Sequence, residues 1–108
     1  MTPSECPFDM EQVTRQRTRW LILVALNSAR PIGTSEGIVL SAVQGASPSA
    51  TQLEIRRELQ YLEDRGLVEI EGKGLRPEWH ARLTHHGIDI AEYTVECFPG
   101  IDRPNKWW

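Results

Sequence analysis

With 108 residues, 40% of them hydrophobic and 25% charged, the chain has the make-up of one globular domain. It is too short for two cores, too apolar for wholesale disorder, and long enough to fold without a metal or a disulfide framework. Acids outnumber bases, 15 to 12, for a formal net charge of −3, which excludes a protein drawn to polyanions by its overall field.

The longest apolar run, Trp20 to Leu26, falls far short of a bilayer span. The opening "MTPSECPFDMEQ" has neither the basic nor the apolar region of a secretory signal, so the expected location is the cytoplasm. Cys6 and Cys97 lie near opposite ends and read as two reduced thiols.

Residues 1–10, with Pro3 and Pro7 among small and acidic residues, read as an N-terminal arm. A domain is expected at 11–96. Its first helix runs from Glu11 to about Ser28, with Val13, Trp20, Leu21, Leu23, Val24 and Leu26 facing a core. Pro31 ends it, because proline cannot continue the hydrogen-bond ladder. Thr34 or Ser35 caps a second helix with Glu36 in its first turn and an apolar stripe of Ile38, Val39, Ala42 and Val43.

"GASPSA" at 45–50 is a breaker cluster, and Ser49 is the expected cap of a third helix running to about Arg65. Ile55, Leu59 and Leu62 give that helix one buried face. Gly66 stops it. "LVEIE" at 67–71 and "EWHARLT" at 78–84 alternate like strands and read as a hairpin around the loop "GKGLRP". Thr84 caps a last helix to about Glu96, with Ile88, Ala91 and Val95 inward. Residues 97–108 have no period and read as an extended tail. The fold class is therefore mostly α with a small β-hairpin. The order α-α-α-β-β-α is that of a winged helix-turn-helix.

The stretch "IRRELQYLEDRGLVEI" resembles the recognition-helix-to-wing signature of winged-helix regulators. "LTHHGIDIA" resembles their post-wing pattern of Leu-Thr, two variable residues, Gly, three variable residues and Ala. The first-helix type "RWLILVAL" and the tail type "PGIDRP" are similar to those of small winged-helix proteins encoded in Mu-like transposable phages and prophages. The resemblance implies a phage-related protein acting in a bacterial host, a homodimer joined through its first and last helices, and double-stranded DNA as the partner.

A recognition helix enters the major groove by its N-terminal half, which nominates Thr51, Gln52, Arg56, Arg57 and Gln60. Ser49 would donate to the backbone at the turn, and Lys73 and Arg76 offer the wing loop to phosphates. Arg15, Arg17 and Arg19 add base to the first helix. Charge opposes this reading: over residues 53–74 only Arg56, Arg57, Arg65 and Lys73 face Glu54, Glu58, Glu63, Asp64, Glu69 and Glu71. The competing expectation is that the arginines pair along a solvated helix face with Glu54 and Glu58, contributing a little to helix stability and binding nothing.

Trp107 and Trp108, beside Lys106, either pack back onto the domain or dock in a protein partner. His80, His85 and His86 lack a metal-ligand spacing. With no nucleophile motif, phosphate loop or paired catalytic carboxylates, neither an enzyme nor a cofactor is expected. The alternative function is a protein-interaction module, such as a phage assembly accessory or a host-protein inhibitor, that keeps the scaffold without strong DNA binding.

Overall fold

The computed structural model describes residues 9–108. Its elements are α1 (Met10–Ser28), β1 (Thr34–Ser35), α2 (Glu36–Gln44), α3 (Gln52–Asp64), β2 (Val68–Glu71), β3 (His80–Leu83) and α4 (His85–Ala91). Four helices pack around a three-stranded antiparallel sheet ordered β1-β3-β2. Most of the expected arm, residues 1–8, and Cys6 with it, lies outside the described residues. Asp9 caps α1, its carboxylate accepting from the amides of Glu11 and Gln12 at 3.1 and 3.3 Å.

The core forms where helical spacing places apolar side chains on one face. Ile22 and Leu26 of α1, Val39 and Val43 of α2, and Ile55, Leu59 and Leu62 of α3 are buried. The same geometry corrects two expectations about α1 and α2. At about 100° per residue, Val13 and Val24 fall opposite Ile22 and Leu26, and both are exposed. Ile38 and Ala42 stand one position off the Val39–Val43 pair and also face outward.

The turn before α3 is closed by the side-chain amide of Gln44, which donates to the Ala50 carbonyl at 3.0 Å. Thr51, not Ser49, is the cap: its hydroxyl accepts from the Glu54 amide at 3.2 Å, and Ser49 is exposed in the turn. The hairpin pairs Val68 with Leu83 and Ile70 with Ala81 on the inner side, and Glu69 with Arg82 on the outer. The strand β1 was not expected, since two residues show no alternation. It pairs Thr34 with Ala81, and the Glu36 amide donates to the Trp79 carbonyl at 2.8 Å. Gly33, at φ +82, lies so close to the Ala81 carbonyl that no Cβ fits there.

The last helix is shorter than its sequence suggests. It stops at Ala91, Tyr93 takes a left-handed φ of 64°, and Val95 is exposed. The tail has no helix or strand, but it is fastened rather than loose. Ile101 is buried, the Asp102 amide donates to the Gln16 carbonyl at 3.1 Å, and Arg17 pairs with Asp102 at 2.9 Å. Arg103 donates to the carbonyls of Ile90 and Val95 at 3.0 and 2.9 Å. Among the described residues no helix is long and apolar enough to cross a membrane.

Candidate nucleic-acid interface

Two carboxylates, each only 1% exposed, organise the surface around α3: Glu36 and Glu58. Acids on helix faces are ordinarily solvated, and these two are buried instead. Glu58 follows the core position Ile55 by three residues and precedes Leu59, so it lies on the edge of the apolar stripe where α3 meets α1. One of its oxygens accepts from Arg19 Nε at 2.9 Å, and the other accepts from Arg15 Nε and Arg57 Nε, each at 3.1 Å. Arg19 also donates to the Gly100 carbonyl at 2.8 Å and stacks 3.6 Å from the centroid of Tyr61. The arginines of α1 are thus spent inside the molecule: two hold Glu58, and Arg17 holds Asp102.

Glu36 does the same on the opposite flank of α3. Arg56 grips it with two bonds, Nε at 2.7 Å and Nη2 at 2.5 Å. The Trp79 amide adds a third at 2.9 Å. Arg56 Nη2 also reaches the Pro77 carbonyl at 3.0 Å, and the guanidinium lies 4.9 Å from the centroid of Trp79. Arg56, expected to read DNA or to pair along its own helix, instead ties α3 to α2 and to the base of the hairpin loop.

The hydrogen bond from Arg56, ahead of the opposing effect of burial and the further bond from Trp79, holds the Glu36 carboxyl below its ordinary pKa. A depressed folded-state value contributes stability that is complete above the unfolded-state pKa and lost as pH falls through the folded one. We therefore expect acid unfolding of the wild type to have a component that Glu36→Gln lacks. Urea midpoints measured from neutral pH down through the carboxylate range check this, and parallel curves for the two proteins would rule it out.

The ridge of α3 that faces solvent carries Leu53, Arg57 and Asp64. The hairpin loop lies alongside it, because Lys73 Nζ donates to Gln60 Oε1 at 2.5 Å and to Glu63 Oε1 at 2.6 Å. Gln60 in turn donates to Glu63 at 3.0 Å and Asp64 at 2.9 Å. Arg76 and Leu75 are exposed at the loop tip. Gln52 is exposed at the start of α3, whereas the Thr51 hydroxyl is occupied as the cap.

The expected residues thus divide into two groups. Arg57, Gln60 and Lys73 lie along the ridge with Arg76 exposed at the adjoining loop tip, while Arg56 and Gln52, about 100° and 140° round the helix from Arg57, stand on the flank turned toward Glu36. Arg57, Gln60 and Lys73 each already meet an acid of the chain.

At the other end, an aromatic series leads from the core to the surface. Trp20 meets Tyr93 edge-on at 5.7 Å, Tyr93 meets Trp108 at 5.1 Å, and Trp108 meets Trp107 at 5.6 Å. Trp108 therefore touches the domain through Tyr93 yet stays 64% exposed, and Trp107 is 87% exposed. His85 lies 3.8 Å from Asp89, and His86 packs edge-on to Phe98 at 5.4 Å. Among the described residues no three metal-ligating side chains converge. Comparison with protein-family models, with curated proteins and with solved structures finds no match to this chain.

Proposed function

We propose that the chain is a winged-helix protein that binds double-stranded DNA and acts as a transcriptional regulator, of the kind encoded in Mu-like phages. In this reading α2 and α3 form the helix-turn-helix and the β2–β3 hairpin is the wing. The observation that carries it is the single face made by the α3 ridge and the hairpin loop, measured by the contact of Lys73 with Gln60 and Glu63. With the ridge in a major groove, Arg57 and Gln60 reach base edges, and Lys73 and Arg76 lie toward the flanking phosphates. Arg56 is a positioning residue that sets the angle between α3 and the wing.

The internal pairing sets the strength of binding. Arg57 and Lys73 must each exchange an acid of their own chain for DNA, so fewer counterions are released than the three cationic side chains of the face would otherwise provide. Binding is then weak, salt-sensitive and dependent on Arg57.

The test is an anisotropy titration against the DNA upstream of the reading frame and a random duplex pool, at low and near-physiological salt. Arg57→Ala should weaken binding by roughly tenfold or more, the range of a lost base contact. Saturable binding by the wild type with that loss supports the proposal. Absence of binding to either DNA at low salt removes it and favours a protein-interaction module. The observation favouring that second reading is the exposed Trp107 together with the acid-paired ridge.

A further inference from the structure

Nothing in the packing of the chain calls for a leucine at position 53. Leu53 is 78% exposed and belongs neither to the core nor to the partly buried side chains packed against it. A lone exposed leucine is ordinary; its place on the molecule gives this one weight. At about 100° per residue, Leu53, Arg57, Gln60 and Asp64 fall within about 60° of one another around α3. Leu53 therefore begins the ridge that Arg57 and Gln60 continue.

The neighbours of Leu53 turn away from that ridge. Gln52 is turned toward Glu36, and Glu54 lines the cleft that α3 makes with Met10, Glu11 and Thr14 of α1. The Thr51 hydroxyl is occupied as the helix cap. The side chain presented at the leading end of the ridge is thus apolar.

The inference rests on the DNA reading, in which the N-terminal half of α3 leads into the major groove. There Leu53 displaces water from base edges and returns no hydrogen bond to the donors and acceptors it covers, which is costly unless it meets an apolar group. The major-groove edges carry one such group, the C5-methyl of thymine. We propose that Leu53 is a specificity-determining residue that packs on a thymine methyl and selects that base next to the pair read by Arg57. Four residues of helix rise about 6 Å, and base pairs stack about 3.4 Å apart. The selected thymine then lies within about two base pairs of the Arg57 contact.

The test isolates the methyl group. The probe is duplex DNA enriched from a random pool by the wild-type chain, with each thymine replaced singly by uracil. Uracil lacks the methyl and keeps every hydrogen-bonding group of the pair. At one position it should weaken wild-type binding roughly threefold to fivefold, the range for burying one methyl or methylene group. Leu53→Ala should bind the thymine and uracil duplexes equally, and should unfold in urea at the wild-type midpoint because the position is exposed. Arg57→Ala, weaker throughout, should still tell the two duplexes apart. An enriched duplex in which no thymine is sensitive to loss of its methyl, or a sensitivity that Leu53→Ala retains in full, overturns the inference and leaves the DNA reading standing. Failure to enrich any duplex overturns both.

Discussion

Replacing Glu58 by alanine is expected to cost about 3–5 kcal/mol of folding stability, the range for removing one partner of a buried ion pair. The carboxylate is 1% exposed and takes hydrogen bonds from three guanidiniums, of which Arg19 is itself buried. Without it, Arg15, Arg19 and Arg57 converge on one another around an apolar edge, and Arg19 cannot leave for solvent while it stacks on Tyr61 and holds Gly100. A domain of this size has roughly 5–15 kcal/mol of stability in total, so the variant sits near the edge of folding.

Arg57→Ala makes the contrast. Its side chain is 45% exposed, and Glu58 keeps two other donors, so a loss of about 1 kcal/mol or less is expected, as for a solvent-screened pair. Urea unfolding of both variants decides the matter. A Glu58→Ala loss as small as that of Arg57→Ala would mean that the cluster is not a keystone of the α1–α3 contact.

This cluster also marks what the sequence makes legible and what it hides. Ile55, Leu59 and Leu62, the alternation in 67–71 and 78–84, and the helix-capping role of Thr84 follow from local periodicity and local hydrogen bonding. All of these appear in the structure. Hidden are facts that depend on where a distant element lands.

Arg56 and Arg57 are adjacent and alike in sequence. A 100° step sends one to Glu36, 20 residues away, and the other to the solvent ridge. Val13 and Val24 looked like core because apolar residues surround α1, and only the direction of its packing tells the inner stripe from the outer. The tail lacked any period because its order comes from Ile101 and Arg103 meeting α1 and α4, not from neighbours in sequence. The surface proposed for DNA was thus readable as a list of residues, but not as a network already neutralised from within.

Gly87→Ala is expected to be strongly destabilising although it adds a single methyl group, and it explains why a glycine occurs in "LTHHGIDIA". Gly87 lies in the first turn of α4, where its φ is not positive, so helix propensity alone favours alanine by about 1 kcal/mol. The obstacle is packing. An added Cβ collides with the Leu67 carbonyl oxygen and comes within 3.1 Å of the Leu67 carbonyl carbon and Leu83 Cδ2.

That carbonyl cannot turn aside, because it accepts the Thr84 amide at 3.0 Å at the point where the sheet hands over to α4. Either α4 lifts off the sheet or the pairing around Leu67 breaks, with a net loss of about 2 kcal/mol or more, at the upper end for overpacked cores. Gly37→Ala supplies the control within the same protein. A Cβ there meets the end of the Glu78 side chain, which can move into solvent, so the helix-propensity gain should survive. Thermal unfolding should therefore separate the two glycine-to-alanine variants in opposite directions. If they shift together, α4 does not rest on the Leu67 backbone as closely as this geometry requires.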